Sequence, residues 1–482
     1  MEDVKQSNSA EQDKAVEEFA KHYAKIVKQA LYDIAKRKPS GLSFSSYSKD
    51  SILNALRSPE SNEKLLRDAS IQAYQNSTQY RRMIQYYAFM PTWSYTLSPL
   101  GFEGSKNSSA YKKDYFRTTK IIERMNLRHE MSKGTLIALR EGVFYGAILS
   151  TDTSFYIQKI NPDICTLTSI SDGAWMYGVD MSRIKEDDLP LYPSYFMQMH
   201  DAYKQSGQKI QEVPEQYSFC LKGDESCYYP FPPFASTLSS LYDLENMKDL
   251  YQVAEKMANY MLLAMKVPTD ANGVPTITLK LMKQYYDHVA ANLPPEVGLA
   301  MTPTTLEAVK FDRDSSVSSS EDISAAIRNF WEESGTSPLL FGDAANTTAQ
   351  ALLQSIKVDE ETAFSLMYQC ERLINRHLKN MQGVRKWKIN FLPVTWFSLD
   401  KNVSYYKEAA SLGIPVKGAY ASLVNVPPQD LRSMAFLEND VLELPDVLIP
   451  LQSTYTQSSD GGRPASADGD LSEEGERSRN KS

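Results

Sequence analysis

The sequence contains little of what disulfide frameworks and metal sites require. Its 482 residues include only four cysteines, at positions 165, 220, 227 and 370, and five scattered histidines. This spacing predicts reduced thiols, although Cys220 and Cys227 are close enough in sequence to bridge or to share a metal. No two histidines have the spacing of metal ligands on a helix, so we expect no metal and no cofactor.

Long apolar runs and targeting signals are also missing. No run approaches the roughly 18 apolar residues that a membrane span needs. The first residues, Met1-Glu2-Asp3-Val4-Lys5, do not have the pattern of a signal peptide. We therefore expect a protein that is made in a cytoplasm and does not contact a membrane.

Catalytic motifs are absent as well. The sequence has no phosphate-binding Gly-x-x-x-x-Gly-Lys-Ser/Thr loop, no Gly-x-Gly-x-x-Gly, no His-Glu-x-x-His and no Gly-x-Ser-x-Gly. The match of Ser46 to Lys49 to Ser-x-x-Lys is short enough to arise by chance. Paired carboxylates such as Glu332-Glu333 lie in polar helical stretches, which favours a solvated helix face. These observations predict a protein that is not an enzyme.

The chain is acidic, with a formal net charge of −8 and a pI of about 5.4. Most DNA-binding domains carry a basic excess, because neutralising phosphates supplies much of their affinity. Taken alone, the acidity argues against tight DNA binding.

The first half of the chain has the pattern of an α+β region. Amphipathic periodicity predicts helices over 15–36 and over 62–88, followed by an extended aromatic segment, 92–99. Short runs rich in β-branched and aromatic residues between Gly142 and Gly178, separated by turn signals, predict several strands.

The second half begins after a proline cluster, Pro230-Phe231-Pro232-Pro233. A stretch without glycine or proline predicts one helix from Ala235 to Met265, about 45 Å long. A small mixed module follows, with strands at 276–279, 298–301 and 306–311 around a helix at 281–291. Two more helices are predicted, 318–334 (ended by Gly335) and 348–379, then a strand at 387–391 and short helices over 403–442. The polar tail from Gln452 has the composition of a disordered segment.

This order of segments resembles the portal proteins of tailed bacteriophages, in particular those of phages that infect Gram-positive bacteria. The closest local match is the stretch from Gly335-Thr336-Ser337-Pro338 through Asn346-Thr347-Thr348 to Asp359. Tyr86-Tyr87, the segment from Pro91 to Pro99, the strand Gln158 to Pro162 and Gly461 to Pro464 also resemble that group.

The resemblance implies a portal fold of class α+β and a division of the chain. The implied regions are a wing (1–232), a stem helix (233–265), a clip (266–314), a second stem helix (315–335), a tunnel loop (336–348), a wing helix and strand (349–400), a crown (401–451) and a disordered tail (452–482).

The resemblance also implies a function. About twelve copies would form a ring at one capsid vertex, through which terminase packages double-stranded DNA that passes without sequence-specific contacts. The implied partners are the terminase large subunit, a head-completion or adaptor protein, and the capsid and scaffold proteins. The implied location is the virion, with the host cytoplasm during assembly.

Two groups of residues follow from the resemblance. The channel-lining residues are Ser337, Pro338, Leu339, Leu340, Phe341, Gly342, Asp343, Asn346, Thr347 and Thr348. The clip residues that would meet terminase or the adaptor are Asp270, Asn272, Lys280, Lys283 and Glu296.

The acidity suits a conduit, because a wall that binds phosphates tightly would slow the advance of DNA. Between Pro338 and Ile356 the sequence has no Lys or Arg, and Asp343 is the one charged residue. Two alternatives remain at this point: another structural or adaptor protein of a virion, and a cytoplasmic enzyme that processes DNA with a site built from scattered residues.

Overall fold

The computed structural model describes residues 46–100, 109–151, 154–258, 261–266, 278–292, 297–302, 320–336, 349–381 and 387–447. The chain divides into two compact units, Met1–Pro428 and Gln429–Ser482. Helices and several small sheets confirm the predicted α+β class. Among the described helices, none has the length and apolar character needed to cross a bilayer. The predicted helix over 15–36, the strand over 306–311 and the tail lie outside the described residues.

Three helices open the described chain: α1 (Lys49–Arg57), α2 (Glu63–Asn76) and α3 (Thr78–Phe89). The prediction of one helix over 62–88 is wrong, because the chain breaks at Ser77. The backbone of Ser77 is extended, and its hydroxyl accepts a hydrogen bond from the Tyr80 amide at 3.3 Å. A serine that caps the next helix in this way offers the backbone an alternative to continuing the first one.

Strand β1 (Tyr95–Pro99) and helices α4 (Ser109–Arg124) and α5 (Leu127–Glu141) follow. β1 lies where the sequence predicted an extended segment. Its antiparallel partner is a strand far along the chain, β10 (Trp387–Phe391), with Tyr95 opposite Phe391. This pairing joins two segments of the first unit that are almost 300 residues apart in the sequence.

Two antiparallel sheets of three strands come next; two strands of each lie in the predicted strand-rich stretch, and the third strand of each follows after residue 209 and was not predicted. One has the order β3-β2-β7, built from β2 (Val143–Ser150), β3 (Phe155–Lys159) and β7 (Ser218–Lys222). The other has the order β4-β5-β6, built from β4 (Cys165–Ser171), β5 (Ala174–Asp180) and β6 (Ile210–Glu212). Helix α6 (Tyr195–Ser206) lies between β5 and β6 in the chain.

The predicted helix from Ala235 to Met265 is partly wrong. Helix α7 ends at Ala258 (Leu238–Ala258), and strand β8 (Met261–Lys266) follows it. β8 pairs in parallel with β9 (Val297–Thr302), and α8 (Leu279–Asn292) connects them. Leu279, predicted to end a strand, is the first residue of α8. A short apolar run such as Met261-Leu262-Leu263-Ala264-Met265 has no helical or strand period of its own, so the sequence pattern alone did not separate the two.

The remaining helices agree with the sequence. Helix α9 (Ser320–Glu333) is followed by Gly335 at φ +70°, and α10 (Ala349–Asn380) is about 48 Å long at 1.5 Å per residue. Helices α11 (Leu399–Ser411) and α12 (Lys417–Leu423) end the first unit. The described part of the second unit contains α13 (Leu431–Phe436), a π-helical turn (Leu437–Val441) and α14 (Leu444–Val447).

The main hydrophobic core joins α1–α5 and the sheet β3-β2-β7 to α7, α9 and α10. A second core lies between the two three-stranded sheets and α6, around Tyr177, Phe196 and Cys220. Helix α10 contributes Leu366, Met367, Cys370, Leu373 and Ile374 to the main core, all essentially buried. The C-terminal half of this helix is therefore a central element of the first unit.

Candidate functional site

The described residues stop on either side of the predicted channel-lining segment. Ser337 through Thr348, and therefore all ten predicted channel residues, lie outside the described part of the chain. The structure does describe what precedes and follows them: Thr336 after α9, and Ala349 at the start of α10. The candidate site is therefore formed by residues that flank this segment in the sequence and by the side chains that contact them.

One tyrosine hydroxyl connects the two sides of that base. The Tyr87 hydroxyl lies 3.0 Å from Asp359 Oδ1 and 3.3 Å from Thr336 Oγ1. Asp359 is on α10, after residues 337–348 in the sequence, whereas Thr336 comes immediately before them. The neighbouring Tyr86 hydroxyl donates to Asp359 Oδ2 at 3.0 Å. We call Tyr86, Tyr87, Thr336 and Asp359 the loop anchor.

Apolar rings enclose the loop anchor. Tyr87 stacks on Phe234, with ring centroids 5.1 Å apart, and Tyr86 contacts Phe397 at 5.9 Å. Thr336 and Asp359 are buried. Gly335 turns the chain out of α9 with a left-handed backbone, which glycine adopts without steric cost. The base of the predicted channel segment is therefore packed on both sides of its chain.

Burial sets the electrostatics of the loop anchor. It raises the pKa of the Asp359 carboxyl, and the two tyrosine hydroxyl donors offset part of that rise. Burial also raises the pKa of both tyrosines well above their usual range, so both hydroxyls keep their protons at physiological pH. The arrangement provides two permanent donors for one buried carboxyl group, which positions the chain but offers no nucleophile.

Helix α10 is held to the sheets by buried polar side chains. Asn375 makes two hydrogen bonds of 2.8 Å with the backbone of Ile389, and Gln369 makes two of 3.2 Å with the backbone of Lys222. Arg376 is fully buried and donates to the carbonyl oxygens of Ser171 and Ser218. These contacts fix the rotation and the axial position of the helix on which Asp359 lies.

The predicted clip residues are not brought together within the described chain. Lys280 and Lys283 are exposed on α8, while Asp270, Asn272 and Glu296 lie outside the described residues. Their assignment to a terminase or adaptor contact stays a prediction.

The described residues also offer few groups for metal binding or thiol chemistry. Within the described residues no three His, Cys, Asp or Glu side chains converge as metal ligands. All four cysteines are free thiols, and burial raises the pKa of Cys220 to about 12.

Tyr86-Tyr87, Gly335 and Asp359 belong to the stretches that carry the sequence resemblance, but their sequence positions do not predict the contacts of the two tyrosines with Asp359. More than 240 residues separate Tyr87 from Thr336 in the sequence, and no local pattern predicts that the two residues are in contact. The available signal was compositional: adjacent tyrosines at the apolar end of a helix are a pair whose hydroxyls need partners when they are buried.

The comparisons with known proteins found no matching family model and no matching curated protein. Among solved structures, the chain is similar to a chain in the virion of a native gene transfer agent particle, at 11% identity and a TM-score of 0.37, covering 79% of this chain and 100% of that one. It is also similar to chains in the neck of the empty particle, computed with C6 symmetry, and of the native particle, computed with C12 symmetry. Those two matches have identities of 11% and 12% and TM-scores of 0.38 and 0.39, and each covers 76% of this chain and 94% of the other. At TM-scores below 0.5 these superpositions establish neither a common fold nor a common function.

Proposed function

We propose that this chain is the subunit of a portal ring, at the junction of head and tail in a phage-like virion. About twelve copies would enclose a channel through which terminase packages DNA, and the ring would later retain and release the genome and join the tail. The chain itself would have no catalytic activity, since terminase supplies the work of translocation.

The observation that carries the proposal is the small module formed by β8, α8 and β9. Within the described residues β8 pairs only with β9, and one helix accompanies them. Parallel strands are normally buried on both faces, and a sheet of two strands is marginally stable alone. Packing on neighbours stabilises a two-stranded parallel pair, and copies of the same chain in a closed ring would supply such neighbours.

Helix α7 supports the same conclusion. It packs against α9, and Leu241 of α7 and Phe330 of α9 are both fully buried. Further along α7 the apolar side chains emerge, and Leu250 is 59% exposed. Apolar side chains exposed in this way on a helix suit an element that packs on further copies of the same chain.

The loop anchor supports the position of the channel. Residues 337–348, which include no Lys or Arg, lie in the sequence between Thr336 and α10, and buried hydrogen bonds of the loop anchor connect Thr336 through Tyr87 to Asp359 on that helix. A firmly held base with a weakly charged loop suits contact with moving DNA, because strong phosphate contacts would have to break at each advance.

The oligomeric state is the first test. We expect light scattering after size exclusion to give a mass near twelve chains, and negative-stain images to show rings with a central hole. A compact monomer at every salt and protein concentration would contradict the proposal and favour the enzyme alternative. Rings that prove unnecessary for filling heads with DNA would favour an adaptor instead.

The second test adds cations to the predicted channel. Asn346→Lys with Thr347→Lys would place two lysines per subunit beside the DNA, so packaged DNA per head should fall at low salt and recover as salt screens the contacts. Ser206→Lys with Gln208→Lys adds the same charge at exposed positions at the C-terminal end of α6 and should package normally. Normal packaging by the first variant at low salt would show that residues 346 and 347 do not line the channel.

A further inference from the structure

Helix α4 carries a row of cations on its exposed side. Its sixteen residues include five cations (Lys112, Lys113, Arg117, Lys120 and Arg124) and two carboxylates, a local charge of +3 in a chain of net charge −8. At 3.6 residues per turn, Lys113, Arg117, Lys120 and Arg124 lie within about 60° of one another around the helix axis. The opposite side of the helix packs inward through Thr118, Ile121 and Ile122, which are buried.

Three of these cations have no carboxylate partner within the described residues, whereas several others in the described chain do. Lys49, Lys64, Arg67, Lys133, Lys159, Lys204, Lys248, Arg372 and Lys379 each form an ion pair. Within the described residues, Lys113, Arg117 and Lys120 are exposed and make neither an ion pair nor a hydrogen bond. Arg124 is held differently, since it donates to the Thr151 carbonyl oxygen at 2.8 Å.

We propose that the exposed row Lys113, Arg117 and Lys120 of α4 is a contact surface for the backbone of double-stranded DNA. The row is separate in sequence from the predicted channel segment, so the inference goes beyond the proposed function. Three cations on one line of a rigid helix span about 10 Å, and a duplex carries one negative charge per roughly 1.7 Å of its axis. The helix presents no hydrogen-bonding set for reading bases, so the contact is independent of sequence.

The composition of the row favours DNA over an acidic protein. The contact core of a protein interface is depleted in lysine and enriched in apolar and aromatic residues. The row itself contains no apolar side chain, and Phe116, 46% exposed, is its one large apolar neighbour on that side of the helix. Regularly spaced cations without an apolar centre match a regular polyanion.

The net acidity of the chain predicts that DNA binds to this row of cations only weakly. Non-specific binding supported by a few cations has dissociation constants of about 10⁻⁴ to 10⁻⁶ M at physiological salt and tightens steeply as salt is lowered. A weak contact of this kind holds DNA against the surface without fixing its position.

The test measures binding of the full chain to a fluorescent 20-base-pair duplex by anisotropy, from low to physiological salt. The triple variant Lys113→Gln, Arg117→Gln, Lys120→Gln should weaken binding at least tenfold at low salt. It should also reduce the slope of log affinity against log salt by about 2 to 3, since each phosphate contact contributes about 0.9. Two controls accompany it: Lys401→Gln with Lys407→Gln and Lys417→Gln, which removes the same charge from exposed positions on α11 and α12, and Lys112→Gln, on α4 but outside the row.

The proposal requires that both controls keep most of the affinity and the salt slope. Equal losses in the two triple variants would overturn it, because net charge rather than the row would then govern binding. Absence of binding by the parent protein at low salt would overturn it as well. Tighter binding to polyglutamate of the same total charge than to the duplex would assign the row to an acidic protein instead of DNA.

Discussion

Tyr87 has two partners that lie on opposite sides of residues 337–348 in the sequence. Tyr87→Phe removes both contacts and leaves the buried Asp359 carboxyl with the Tyr86 donor alone, a change that costs about 1–3 kcal/mol. We expect faster cleavage of the 337–348 segment by a non-specific protease, about tenfold for each 1.4 kcal/mol lost at its base. Mass spectrometry of the fragments measures the rate.

Tyr80→Phe is the matched control for that experiment. Tyr80 is equally buried, and its hydroxyl lies 2.8 Å from Ser70 Oγ, but neither residue adjoins the predicted channel segment. This variant should lower the unfolding midpoint without accelerating cleavage at 337–348. If both variants behave alike, the Tyr87 contacts stabilise the protein in general and do not hold the loop.

The carboxyl groups of Asp359 and Asp163 should contribute to stability with opposite dependences on pH. Burial raises the pKa of Asp359, so the folded state binds its proton more tightly than the unfolded state, and stability contributed by this group falls as pH rises above the usual carboxyl range. Asp359→Asn should therefore gain in unfolding midpoint relative to the parent as pH increases from about 4 to 7.

The pKa of the Asp163 carboxyl is shifted in the opposite direction, downward. A hydrogen bond from Lys64, with the charge of Arg67 nearby, lowers the pKa of the Asp163 carboxyl, so its contribution is present above the usual carboxyl range and is lost as pH falls. Asp163→Asn should lose in unfolding midpoint relative to the parent as pH increases from about 3 to 5. Calorimetric scans of both variants with the parent give the two differences, and matching signs would refute the assignment of either pKa direction.

At the scale of elements, the parallel pair β8–β9 is the part that a ring should depend on most. Leu263→Pro removes a backbone donor in the middle of β8 and blocks regular pairing on that strand. We expect the cores of the first unit to remain folded, with near-parental far-ultraviolet circular dichroism, while rings no longer form. Glu186→Pro, at the exposed first position of a short 3-10 helix, introduces the same residue where it is tolerated and should leave rings intact. Rings of normal mass from Leu263→Pro would show that β8 is not part of the subunit contact.

Strand β8 shows which parts of the fold can be predicted from local sequence patterns and which cannot. Helix α10, the end of α9 before Gly335 and the strands β2 to β5 were predictable, because period, caps and turns are local signals, whereas β6 and β7 were not predicted. β8 was not predictable, because its identity depends on pairing with β9 about 36 residues later. The loop anchor depends in the same way on contacts between distant parts of the chain, and the channel residues themselves remain predictions.

At the scale of the whole chain, the second unit should contribute to association. In its described part, Gln429–Val447, no residue is buried, although it contains Leu431, Met434, Phe436, Leu437 and Val441. Helices this short are not stable in water without a packing partner. Removing 429–482 should therefore weaken self-association, whereas removing 452–482, which has few apolar residues, should leave it unchanged. Sedimentation velocity of the two truncated chains distinguishes them, and equal behaviour would contradict this role.

The loop anchor has an evolutionary consequence. Thr336 and Asp359 both contact the Tyr87 hydroxyl. The two ends of the chain between them are therefore held together by contacts that do not involve the residues in between. Closing a flexible loop of twice the length costs only about 0.6 kcal/mol more. Insertions, deletions and substitutions between residues 337 and 348 should therefore be nearly neutral for folding, so that selection could vary the length and chemistry of the proposed channel segment without changing the rest of the protein.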